Sequence, residues 1–187
     1  MIHHLVITAV GSDRPGIGNR LTKAVTHSGC NIIDSRWALF GKEFTLIMLV
    51  SGDMNAITKT ETLLPSISSE HDLMVIMKRT APHQPPLYTY KIDVSVQSDD
   101  KLGLTDAFTQ FFSDHDISIA ELSAQTLCVK SNDSPSKTPN NETNRFIMTM
   151  SGLSEVDFDV ESLQTKFNAL CISQSATGSI EVIANSH

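Results

Sequence analysis

Two hydrophobic periodicities alternate along the chain. Residues 4–10 (HLVITAV) form a β-rich run that Gly11 ends. The apolar spacing then changes. Ile17, Leu21, Ala24 and Val25 fall at i, i+4, i+7 and i+8, the stripe of an amphipathic helix, with Pro15 suited to the first turn and Ser28-Gly29 closing it. Residues 30–40 and 42–50 read as two strands joined tightly at Gly41. A second helix is expected over residues 55–69, with Ile57, Leu64 and Ile67 inward and Pro65 interrupting it near its end. Residues 73–78 read as a closing strand.

The pattern then starts again. At an offset of 87, VITAVGSDRPGI (6–17) lies over DVSVQSDDKLGL (93–104), so Asp13 meets Asp100, Arg14 meets Lys101, Gly16 meets Gly103 and Ile17 meets Leu104. The same offset sets CNIIDS (30–35) over ISIAEL (117–122), while an offset of 100 sets IMLVSG (47–52) over IMTMSG (147–152). The difference implies a 13-residue insertion in the second copy, visible as SNDSPSKTPNNET (131–143), a run of turn formers without an apolar anchor. In that copy Ile92, Val94 and Val96 share one strand face, and Leu104, Ala107, Phe108, Phe111 and Phe112 repeat the helical stripe. Phe158, Leu163, Phe167 and Leu170 mark its second helix, and residues 179–184 its last strand.

The order βαββαβ, written twice, predicts an α+β chain of two tandem ferredoxin-like units. Each is a four-stranded antiparallel sheet with two helices on one face. The expected boundaries are 1–80 for the first domain, a proline-rich linker at 81–87, and 88–187 for the second domain.

Charge separates the halves. Residues 1–85 carry 8 Lys+Arg against 7 Asp+Glu, whereas residues 86–187 carry 6 against 14, within a total of −7. Direct binding to nucleic acid needs clustered cations, so this balance argues against it. The early apolar run, residues 5–10, lacks a basic leader and is far shorter than the roughly 20 residues of a membrane span, so the chain reads as soluble and cytoplasmic. Cys30, Cys128 and Cys171 show no CxxC spacing, which favours neither a disulfide framework nor a zinc ribbon. His3 and His4 are adjacent and would face opposite sides of a strand, and no HExxH is present, so no metal site and no cofactor are expected.

The stretch GSDRPGIG (11–18) is the candidate for chemistry. It joins the first strand to the first helix, whose N-terminal amides and partial positive charge suit a small anion, and Gly16 and Gly18 permit close approach to the backbone. Nucleotide patterns fail there. A Walker loop needs Lys and Ser or Thr after Gly16, where Ile17 and Gly18 stand, and GxGxxG from Gly16 meets Leu21 in place of its third glycine. Asn31 opens the following strand, a point that can approach the opening loop of a neighbouring unit, and offers an amide to an amino acid's ammonium and carboxylate, although Asn close to Gly also serves simply as a turn residue. Asp13 and Arg14 have structural alternatives too: Asp13 as a helix cap, Arg14 as a solvated charge or a partner of Asp34.

The succession of strand, SDRPGI, helix, SGCNI, two strands, helix and strand resembles the ACT domain, a regulatory module that in many proteins binds amino acids. As a tandem pair over its whole length, the chain is similar to the glycine cleavage system transcriptional repressor family. The resemblance implies a non-catalytic cytoplasmic regulator that responds to a small amino acid, glycine being suspected. It would repress the glycine cleavage operon through a LysR-type activator, without gripping DNA, and a homodimer is compatible with it. Carried over residue by residue, it nominates Asp13, Arg14, Gly16, Ile17 and Asn31 as ligand-binding. The second copy departs from the motif, with Leu102 for Pro15 and Ser118 for Asn31, which implies an asymmetric site.

Two rivals stand beside that reading. An enzyme would need a nucleophile and base in register; His27, Ser28 and Cys30 cluster, and His115 precedes Asp116, but both groups fall at expected helix ends and no nucleophile elbow is present. A ligand-free interaction module is the other, since ferredoxin-like sheets expose edges that invite pairing.

Overall fold

Along β1 (His3–Ser12), Leu5, Ile7 and Ala9 are fully buried while Val6, Thr8 and Val10 point the other way, so strict alternation gives this strand one core face. The same chemistry repeats through α1 (Ile17–His27), β2 (Asn31–Phe40), β3 (Glu43–Gly52), α2 (Met54–His71) and β4 (Leu73–Thr80). The second copy supplies β5 (Tyr90–Asp99), α3 (Leu104–Asp114), β6 (Ser118–Lys130), β7 (Glu142–Ser154), α4 (Val160–Ser173) and β8 (Thr177–Ala184). The structure is a computed structural model that describes residues 1–82, 87–130 and 142–185. The 131–143 insertion and the centre of the 81–87 linker fall largely outside the described residues.

The chain divides into two units, Met1–Pro85 and Pro86–His187. Their sheets have matching orders, β2-β3-β1-β4 and β6-β7-β5-β8, with every pairing antiparallel. In the first unit, Leu21 and Val25 of α1 and Ile57 and Leu64 of α2 join Leu5, Ile7, Leu46, Met48 and Val50 in one core, which sets both helices on the same sheet face. In the second, rings carry much of that work: Phe167 of α4 lies 5.9 Å from Phe108 and 5.8 Å from Phe111 of α3, centroid to centroid. The expected α+β, tandem ferredoxin-like fold is what the chain adopts.

Two local expectations are corrected. α2 runs unbroken to His71 through Pro65, although proline removes one helical hydrogen bond. Leu64 is fully buried and Ile67 packs on the core, so burial on both sides of the proline carries the helix across. The offset of 100 between the third strands is also wrong by two. Leu5 pairs with Val50 and its counterpart Ile92 with Gly152, so the first strands differ by 87 and the third by 102, which makes the added length 15 residues. A slip of two keeps every side chain on its own face, so apolar alternation could not reveal it.

Core truncation is expected to cost what close packing dictates. Leu21→Ala should lose about 2–5 kcal/mol and Phe167→Ala about 3–5 kcal/mol of unfolding free energy, read from denaturant midpoints at constant slope.

Candidate functional site

Each unit passes from its first strand to its first helix through a left-handed glycine: Gly16 at φ +88° and Gly103 at φ +89°, both at the N-cap position. Only glycine adopts that geometry cheaply, so a side chain at Gly16 is strained even though open space surrounds it. A glycine cap also has no side chain to offer the helix. The amides of Gly18 and Asn19, and those of Leu104, Thr105 and Asp106, have no backbone acceptor among the described residues. The other two helices are closed differently: the Asp53 carboxylate accepts from the amide of Ala56 at 2.8 Å, and that of Asp159 from Glu161 and Ser162 at 3.0 and 3.3 Å. In each unit the helix that follows the first strand is left open to an anion, and the other is sealed by aspartate.

The nominated residues divide into two places. Asp13, Arg14 and Gly16 are exposed on the loop after β1, and Ile17 is buried beneath it. Asp13 does not cap α1, and Arg14 does not pair with Asp34, whose partner is Arg36 at 2.6 Å. Asn31 sits at the far end of the sheet, since it pairs with Ser51, which pairs with His4, while the loop leaves from Ser12. Eight residues of strand separate those rows, roughly 27 Å. One unit therefore does not bring Asn31 to the loop.

A residue that sequence reasoning passed over lies against the first turn of α1. The indole of Trp37 on β2 lies against Gly18, so close that a β-carbon there would meet the ring at 1.9 Å, and it packs edge-on to Phe44 at 5.8 Å. The absence of a side chain at Gly18 makes room for the Trp37 ring. At the same offset of 87, Trp37 becomes Ala124 and Gly18 becomes Thr105. In the second unit a groove of about 690 Å3 stands at this position, lined by Asp100, Lys101, Gly103, Thr105, Ala124 and Gln125. The exchange of Gly and Trp for Thr and Ala was readable from the repeat, and would have pointed to the second copy as the one with room.

Three of the residues weighed as catalytic make contacts within the fold. The hydroxyl of Ser28 donates to the Ala24 carbonyl, the Cys30 thiol meets the Thr60 hydroxyl at 3.3 Å, and the His115 ring stacks on Phe111 with Nδ1 at 2.7 Å from the Phe111 carbonyl. On the outer face of the second sheet, Lys91 donates to Asp93 at 2.7 Å and the Ser151 hydroxyl also donates to Asp93. Those two bonds hold the Asp93 carboxyl below its ordinary value.

This arrangement belongs to a known class of module. The ACT domain family matches residues 3–78, and the topology of both units is that of an ACT domain, so the protein is a tandem ACT-domain chain. It belongs to the glycine cleavage system transcriptional repressor family. It is 40% identical over 181 residues to the repressors of that name from Escherichia coli K12 and Shigella flexneri, covering 97% of this chain and 90% of theirs. A solved structure assigned as a glycine cleavage system transcriptional repressor is 48% identical, with a TM-score of 0.68 and 99% of both chains covered. A protein of unknown function from Galdieria sulphuraria shares the fold at a TM-score of 0.74 and 21% identity, over 98% of this chain and all of that one.

Two outcomes follow. Gly18→Ala should destabilise the natural chain by displacing Trp37, yet in a Trp37→Ala background it should stabilise by up to about 1 kcal/mol, the helix preference for Ala over Gly; thermal melts of the four-member cycle check this. Because the folded-state value of Asp93 is depressed, its contribution is present above about pH 4 and lost as pH falls through that lower value. Asp93→Asn should flatten the acid limb of stability by a few tenths to about 1 kcal/mol, as measured by urea unfolding at several pH values.

Proposed function

We propose that the protein is a non-catalytic cytoplasmic regulator that responds to a small amino acid, with glycine the first candidate. It represses the glycine cleavage operon through contact with a LysR-type activator and not by holding DNA itself. The family supports the regulatory role. The observation that carries the ligand reading is the contrast between helix ends: α1 and α3 present free amides behind a left-handed glycine, whereas aspartate closes α2 and α4.

An amino acid's carboxylate matches those amides, and the nearby carboxylates of Asp13 or Asp100 match its ammonium. In the first unit the contacts are Asp13, Arg14, Gly16 and Ile17, and Asn31 takes part where a neighbouring unit brings it to the loop. The groove beside Gly103 and Thr105 offers the same chemistry without an indole over it. Ligand acts by favouring one state of the regulator, free or activator-bound, over the other. The net charge of −8 on residues 86–187 fits an indirect route to the operator, since an acidic second half repels phosphate.

Calorimetric titration and melting with glycine, serine and the branched amino acids test the reading. A ligand at about 100 times its dissociation constant should add roughly 2.7 kcal/mol of stability. Rebuilding the first unit's arrangement in the second, with Thr105→Gly and Ala124→Trp together, should remove any share of that gain which arises at the α3 groove. No gain with any amino acid, beside intact binding to the activator, would leave a ligand-free interaction module. A mobility shift of operator DNA by this protein alone would remove the indirect route.

A further inference from the structure

The two helices of a unit cover one face of its sheet, and the copies treat the other face in opposite ways. In the first unit that outer face carries Val6, Val10, Ile47, Leu49, Met74 and Ile76. At the same register positions the second unit has Asp93, Gln97, Thr149, Ser151, Thr177 and Ser179. All six apolar side chains are polar in the copy; the reverse exchange occurs only toward the strand ends, at Thr45 against Ile147, Ser51 against Leu153 and Thr80 against Ile183. Met74, Ile76 and Ile47 are 67%, 60% and 46% exposed. The second unit shows that this fold tolerates a polar outer face, so folding alone does not require the apolar one.

We infer that the outer sheet face of the first unit is a self-association surface, occupied by the same face of a second copy of this chain. Charge placement selects that occupant. Pairing sets Asp34, Leu49, Val6 and Lys78 in one row across β2, β3, β1 and β4. A twofold axis parallel to the strands, between two stacked faces, reverses the strand order and keeps the row. Asp34 of each copy then lies over Lys78 of the other, and Leu49 over Val6. Lys78 makes no ion pair among the described residues, and Asp34 retains acceptor capacity beside Arg36.

Size and net charge agree. Four strands about 4.8 Å apart and eight residues long present roughly 500 Å2 of flat sheet, so two copies bury about 1,000 Å2, where specific interfaces begin. The first unit is nearly neutral at +1, whereas the second carries −8 and repels its own copy. The ends of the chemistry are thus divided: the apolar copy associates, and the polar copy stays solvated. This inference does not depend on ligand sensing.

Sedimentation of the full chain over a range of concentrations tests it. A reversible dimer is expected. Ile76→Lys should raise its dissociation constant by about a hundredfold, whereas Ser179→Lys, the matching position of the second unit, should not change it. Lys78→Asp should weaken the dimer by about fivefold, and adding Asp34→Lys should restore it, since the pair is then exchanged. Melting by circular dichroism confirms that each variant folds, and the charge exchange decides the matter if Ile76→Lys does not. A chain that is monomeric throughout would overturn the inference, assigning the face to the chain's own second unit or to a foreign protein. So would a dimer that Ile76→Lys and Lys78→Asp leave intact.

Discussion

A βαββαβ unit puts both of its helices on one side of its sheet, and nearly everything distinctive about this protein follows from what that leaves bare. The covered side is settled by alternation: Leu5, Ile7 and Ala9 in β1 and Ile92, Val94 and Val96 in β5 are buried in the same way, and the helical stripes of α1 and α3 close over them. The uncovered side has no helix to satisfy, so its side chains are free to diverge. Six apolar positions in one copy have become six polar ones in the other, while the strand order and register stayed the same.

The loop between first strand and first helix shows the same division at smaller scale. The backbone device is retained in both copies, a left-handed glycine that ends the strand and leaves the helix amides open. Its surroundings are not. Trp37 lies against Gly18 in the first copy, and Ala124 beside Thr105 leaves a groove in the second. The two helix ends are thus alike in backbone and unlike in what surrounds them.

Much of the architecture was legible before any coordinates. The apolar periods and the repeated glycines identify two units of one fold, and the DRPGI and GCNI segments identify the module. What escaped did so for definite reasons. The third-strand register was misjudged by two because a period of two hides an even slip. Pro65 was expected to interrupt α2 because its cost is local, whereas the burial of Leu64 that outweighs it is tertiary. Asn31 and the 13–17 loop lie at opposite ends of one sheet because α1 carries the chain back along it, so the expectation that joins them concerns a neighbouring unit and not the same one.

The chain's order of residues by itself determined the number of units, the strand and helix sequence within each, the glycine that turns strand into helix, and the contrast of charge between halves. These depend on near neighbours along the chain and on periodicity. That Trp37 reaches across to Gly18, and that six apolar residues drawn from three strands share one outer face around Thr8, were decided only by the tertiary structure. Each of those depends on side chains from separate strands and helices meeting in space, and that meeting is set by sheet register and packing.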